Sequence, residues 1–177
     1  MSSNNSKQKI KEHFFENPTA RLRVRQIERE TKTALPSVVR YTKELVKEGI
    51  LKVQKISGVV FYSADRSSQA FLIEKRLFNI RQLFVSELIN HLIKEYNNPP
   101  IMVFGSYSKG EDIENSDIDI YVESPKKNIV ALEKFEKKLK RKIQIFRFSK
   151  LTDVKNKELA NNIINGTGLN GFVEVFK

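Results

Sequence analysis

The stretch Val103-Phe104-Gly105-Ser106-Tyr107-Ser108-Lys109-Gly110-Glu111-Asp112-Ile113-Glu114-Asn115-Ser116-Asp117-Ile118-Asp119-Ile120-Tyr121-Val122 carries the most information in the chain. The apolar run Ile101–Phe104 reads as a short strand, entering a turn at Gly105-Ser106 that opens a helical piece ending by Gly110. Exposed N–H groups at a helix start attract phosphate. Gly105 lets backbone approach such a ligand, the Ser106 hydroxyl can donate to it, and Lys109 can reach the same phosphates. Ile118–Val122 reads as a second strand. Asp117 and Asp119 are two positions apart, so a strand period of two turns both carboxylates to one face. Paired carboxylates opposite a phosphate-binding turn suit Mg²⁺ held between protein and triphosphate. Two such metals about 4 Å apart stabilise both oxygens of an in-line transfer. The D-x-D pair alone is weak evidence; joined to the Gly-Ser turn before it, it is strong.

Beyond this stretch, Asn128–Arg141 reads as an amphipathic helix with Ile129, Leu132, Phe135 and Leu139 inward. Lys142–Phe148 reads as a strand, Lys155–Ile164 as a helix and Phe172–Phe176 as a final strand. Ser67–Tyr96 contains no Gly or Pro and reads as one long helix, or two with a break near Ser86. Ile73, Leu77, Ile80, Phe84, Leu88 and Leu92 form one apolar stripe, and Leu72, Leu83, Val85, Ile89 and Ile93 much of another. A helix apolar on two sides is expected to be buried on both. It then packs between two domains or against its copy in a homodimer.

Upstream, 7–17, 24–33 and 36–48 read as three short helices, with Pro36 suited to a first turn. Ile50–Ile56 and Val59–Ser63 read as strands parted by Ser57-Gly58, a hairpin signal. Helices followed by a hairpin resemble a winged helix-turn-helix over about residues 6–65. That resemblance implies DNA contact from a recognition helix through Ser37, Arg40, Tyr41 and Lys43, with Lys52 and Lys55 meeting phosphates from the wing. A winged helix used only for protein contacts is the alternative.

The pattern G-S-x-x-x-G…S-D-I-D-[LI]-x-V resembles the nucleotidyltransferase superfamily typified by DNA polymerase β, and most of all its minimal members. The resemblance spans residues 99–177. It implies a nucleotidyltransferase fold, a small mixed sheet flanked by helices, that binds an NTP, ATP in the expected case, with Mg²⁺ of the two-metal type. Gly105 and Ser106 match the phosphate-binding pair, supported by Lys109, Gly110 and Ser116; Asp117 and Asp119 match the metal-binding, catalytic aspartates. Two departures stand out. Tyr107 and Lys109 replace Arg residues common in small members, and Gln144 stands where the family has a third carboxylate. Glu174 is a candidate substitute.

Composition bounds these readings. The net charge is +11, of which residues 1–65 supply +6, and such an excess suggests a polyanionic partner. There is no Cys, which removes disulfides and thiolate metal sites, and His13 and His91 read as ordinary helix residues. The start, MSSNNSKQK, has no apolar run of a signal peptide, and no stretch approaches a membrane span, so the expected compartment is the cytoplasm and no membrane partner is expected. The expectation is a two-domain chain of the α+β/α/β class: a winged helix (1–65), a long linking helix (66–98) that offers a dimer surface, and a nucleotidyltransferase-like domain (99–177). Its function is transfer of a nucleotidyl group to a protein or nucleic-acid acceptor, coupled to DNA binding. A catalytically weakened nucleotide-sensing transcription regulator is one alternative, and a toxin–antitoxin component another.

Overall fold

The computed structural model describes residues 3–126 and 130–175. The chain divides into two compact units, Met1–Phe78 and Asn79–Lys177. The division falls within one helix, so the segment read as a connector contributes to both.

The first unit holds α1 (Ser3–Glu16), β1 (Arg21–Leu22), α2 (Val24–Thr31), α3 (Leu35–Lys47), β2 (Leu51–Ile56), β3 (Val59–Ala64) and the start of α4 (Gln69–Val85). α1 stops where Asn17, which precedes Pro18, turns its amide back onto the His13 carbonyl. Ser57 and Gly58 both have positive φ, the requirement of a two-residue hairpin turn, and Ile56 pairs with Val59 across it. The antiparallel sheet has the order β1-β3-β2. β1 has only two residues, too few for a periodic signal, and was not expected. Ile10, Phe14, Phe15, Ile27, Val38, Leu45 and Phe71 form the core of this unit.

The second unit continues α4 and adds α5 (Leu88–Tyr96), β4 (Ile101–Phe104), α6 (Gly105–Lys109), β5 (Ile118–Glu123), α7 (Glu133–Leu139), β6 (Ile143–Phe148), α8 (Lys157–Ile164) and β7 (Thr167–Asn170). Its four-stranded sheet has the order β6-β5-β4-β7. β5 and β6 are parallel, while β4 is antiparallel to both β5 and β7. One face buries Ile118, Ile120 and Val122 against Leu88, Ile89, Leu92 and Phe135. The other sets Phe104 and Tyr121 against Leu151, Val154 and Ile163.

Of the two readings of Ser67–Tyr96, the one with a break near Ser86 is the one observed: the Ser86 hydroxyl donates to the Leu83 carbonyl and accepts from the Leu88 N–H, and Glu87 takes a left-handed conformation. Three expectations need correction. The expected stripe divides. Leu88 and Leu92 are buried, but Ile73, Leu77, Phe84 and Val85 are exposed, so α4 is not covered on two sides. Its buried positions include Phe71, Lys75, Phe78, Asn79 and Leu83, and the two polar residues among them break the apolar pattern. α7 is shorter than 128–141 and begins at Glu133; Ile129 lies outside the described residues. The last strand is Thr167–Asn170, not 172–176. The Asn170 amide bonds the Pro99 carbonyl, the chain turns at Gly171 and Phe172 is exposed, while Phe176 lies outside the described residues.

A buried polar cluster holds the chain between α6 and β5. The Asn79 amide donates to the Tyr107 carbonyl at 2.9 Å and to Asp112 Oδ1 at 2.7 Å. Arg141 Nη2 lies 3.7 Å from Asp112 Oδ2, with the two side chains 7% and 1% exposed. Removing one partner of a buried pair leaves the other charge uncompensated. Asp112→Ala is therefore expected to destabilise this unit by about 3–5 kcal/mol, read by urea denaturation. A loss within error of zero would show that the pair contributes nothing.

Candidate functional site

β4 delivers the chain into Gly105, the first residue of α6, at φ +71, a conformation that a Cβ disfavours. Space adds a second reason for glycine here. A Cβ at Gly105 would lie 2.6 Å from Asp119 Oδ2. The Asp119 carboxylate therefore rests directly on the turn, across the Phe104–Asp119 pair of the β4–β5 ladder. Ser106 is half-buried, and its hydroxyl has no hydrogen bond to protein among the described residues. Lys109 is exposed at the end of α6, and Gly110 closes that helix in a left-handed conformation.

Asp117 is exposed and immediately precedes β5, whose start is held by the Ile118 N–H to the Lys142 carbonyl at 2.8 Å. Ile118 and Ile120 point into the core, which turns Asp119 to the opposite face. Burial raises the Asp119 carboxyl above the ordinary Asp range, and the negative charge of Asp117 raises it further. The two acids thus feel each other.

Gln144 is the in-register partner of Asp119 on β6. Paired residues of parallel strands share a face, so this neutral side chain stands beside the Asp119 carboxylate. Glu174 lies on no strand and is exposed, which removes the basis on which it was a substitute acid. Ser116 is engaged within its own loop. Its hydroxyl accepts the Ile113 N–H at 2.9 Å and closes the loop before Asp117.

Among the described residues no group of three or more His, Cys, Asp or Glu side chains could hold a metal ion. Asp117 and Asp119 are two hard oxygen donors with mutually repelling charge, close in the chain to the half-buried Ser106. That donor set fits a Mg²⁺ whose remaining ligands come from phosphates and water. It does not form a cage made of protein alone.

Comparison with known proteins agrees with this geometry. Residues 87–169 match the family model described as Polymerase beta, Nucleotidyltransferase. The nucleotidyltransferase match opens at Glu87, the break before α5, and closes inside β7, so it takes in β4, β5, β6 and most of β7. It supports nucleotidyl transfer as the general activity of this part of the chain. No curated protein and no solved structure matches the chain. No helix among the described residues is long and apolar enough to cross a membrane.

In the first unit, Arg40 and Lys43 are exposed on α3, and Ser37 is half-buried in its first turn. Arg40 is paired with Glu44 at 2.9 Å and lies 5.3 Å from the Tyr41 ring centre. Tyr41 itself is buried in the core, so the structure removes it from the outward-facing set. Lys52 and Lys55 are exposed on β2, but three positions apart they project from opposite faces. Sequence reasoning missed the exposed Val53, Ile56, Val59 and Val60 beside them. Those residues make strong strand patterning, and patterning does not say which face is covered.

Gly105→Ala should cost about 1–2 kcal/mol from left-handed strain alone and should also displace Asp119. Urea denaturation and Mg²⁺–NTP titration check the two effects; unchanged nucleotide affinity would show that the close approach is dispensable. A second expectation concerns pH. A carboxyl raised in the folded state destabilises the fold once ionised, so this contribution is absent below the ordinary Asp range and grows as pH rises through the raised one. Relative to Asp119→Asn, the wild type should lose a few tenths of a kcal/mol across that window, the effect being reduced by solvent screening. Added Mg²⁺ should reverse the order by binding the wild type preferentially. Parallel stability curves for the two proteins would contradict this.

Proposed function

We propose that the second unit binds Mg²⁺–ATP between the Gly105-Ser106 turn and Asp117/Asp119. It then transfers AMP to a hydroxyl of a protein or nucleic-acid acceptor. We further propose that residues 1–65 act as a winged helix that docks the protein on DNA through Arg40, Lys43, Lys52 and Lys55. The observation that supports the transferase reading most strongly is the close approach of the Asp119 carboxylate to Gly105. It joins the acid and the phosphate-binding turn at one point.

In the reaction, the acceptor oxygen bonds the α-phosphorus while the bond from that phosphorus to the β-bridging oxygen breaks. Pyrophosphate leaves. Mg²⁺, when bound, neutralises phosphate charge and makes the acceptor hydroxyl more acidic. Ser106 and Lys109 orient the phosphates, and Asp117 and Asp119 hold the metal. The acceptor proton passes to water, because the amide of Gln144 is not basic enough to take it.

Gln144 in register with Asp119 favours a second reading, that of a nucleotide-sensing transcription regulator with little turnover. A homodimer along residues 67–96 would cover the exposed Ile73, Leu77, Phe84 and Val85 and present two recognition helices to a two-fold DNA site.

Calorimetry with Mg²⁺ and each of the four NTPs, followed by incubation with α-labelled nucleotide and cell extract, separates these readings. The wild type should bind one NTP, and Asp117→Asn or Asp119→Asn should weaken that binding at least tenfold. Label transfer supports the enzyme. Gln144→Asp should raise transfer by about a hundredfold or more, since positioned acid–base groups contribute that much. Transfer seen only in that variant supports the sensor, and equal transfer in both sinks it. Failure to bind any Mg²⁺–NTP defeats both readings.

A further inference from the structure

α6 has five residues, Gly105–Lys109, too few to hold a helix by its own hydrogen bonds. Its orientation, and with it that of Ser106 and Lys109, depends on what grips it from outside. The Tyr107 side chain is buried in the core of the unit. The Tyr107 carbonyl lies near the end of the helix, where backbone acceptors lose their helical partners. The Gly110 N–H reaches it at a long 3.4 Å. The Asn79 amide of α4 supplies a closer donor, at 2.9 Å.

The same amide nitrogen also donates to Asp112 Oδ1 at 2.7 Å. Asp112 anchors the loop that follows α6: of residues 111–117 it alone is buried. From it a short series of bonds leads to the metal-binding acid. Ile113, next to Asp112, donates its N–H to the Ser116 hydroxyl at 2.9 Å and accepts the Ser116 N–H at 3.0 Å. Asp117 follows directly. Asn79 is 1% exposed, so bulk water does not compete for either of its bonds.

We infer that Asn79 is a positioning residue of the transferase site, a clamp that sets the spacing between the phosphate-binding helix and the Asp117 loop. The inference rests on the transferase reading and deepens it. Asn and Gln alone carry two N–H donors on one neutral nitrogen, and Gln is a methylene longer. A carboxylate or an apolar group at position 79 would leave both the Tyr107 carbonyl and Asp112 Oδ1 without this donor. Many buried amides merely hold a fold. What ties this one to the site is where its bonds end, one on the helix of Ser106 and Lys109 and the other on the loop of Asp117. A misplacement of about 1 Å between such groups costs on the order of a hundredfold.

The test is calorimetry on the full chain with Mg²⁺ and the NTP that the wild type binds. Each variant is measured at a temperature at which thermal unfolding shows it folded. Asn79→Leu removes both donors at similar volume. Its affinity should fall at least tenfold while the number of sites per chain stays at the wild-type value. A residue that only held the fold would lower the number of sites and leave affinity unchanged. Leu92→Ala, a core truncation on α5, is the stability control and should bind nucleotide as the wild type does. Asn79→Asp sets a carboxylate against Asp112 and should weaken binding further than Asn79→Leu. Asn79→Asp/Asp112→Asn reverses donor and acceptor across that bond and should recover part of the loss.

Wild-type affinity in Asn79→Leu, or a loss no greater than in Leu92→Ala, overturns the inference and leaves the transferase reading standing. So does a double variant no better than Asn79→Asp. A wild type that binds no Mg²⁺–NTP defeats the transferase reading, and the inference falls with it.

Discussion

The close approach of the Asp119 carboxylate to the Gly105 turn governs the second unit. It requires glycine twice over, for the left-handed φ and for the missing Cβ. It also requires that β4 and β5 pair in the register that sets Phe104 opposite Asp119. A slip of one residue would turn the acid into the core and Ile118 or Ile120 out of it, which burial of those isoleucines opposes. Hydrophobic burial on one face of the sheet thus holds a destabilised carboxylate in place on the other.

The same sheet accounts for the remaining chemistry. The parallel β5–β6 pairing brings Gln144 beside Asp119. A parallel pair needs a crossover of a dozen residues or more, and α7 lies in that crossover. The neutral side chain and the lysine-bearing helix α7 therefore have one topological origin. Asp112 and Arg141, buried together, tie the loop before Asp117 to the end of the same crossover.

Legibility in the sequence followed the length and regularity of each signal. The Gly-Ser turn and the D-x-D pair were readable from spacing and strand period, whereas the place of Gln144 came from the family resemblance alone and its register with Asp119 from the fold. The hairpin at Ser57-Gly58 was readable from turn chemistry. Tyr41 was misplaced among the outward residues although it shares the i, i+3, i+4, i+7 stripe of Val38, Thr42 and Leu45, all of them buried. The buried side of α4 was hidden by Lys75 and Asn79, polar residues in an apolar face. The last strand was misplaced because Phe172–Phe176 alternates like a strand, whereas Thr167-Gly168-Leu169-Asn170 does not and still pairs with β4. The Asn79–Asp112–Arg141 cluster joins residues with no shared local pattern, so only the fold could reveal it.

The pairing of β4 with β7 has a kinetic consequence. Ile101 meets Asn170 across most of the unit's length, whereas β4 and β5 lie close in sequence. Contacts so far apart along the chain carry the larger loop-closure cost and tend to form late. During synthesis both aspartates leave the ribosome well before the strand that shields the free edge of β4. Until that strand arrives, the edge is open to pairing with another chain, and a newly made molecule is most exposed to misassembly in that interval.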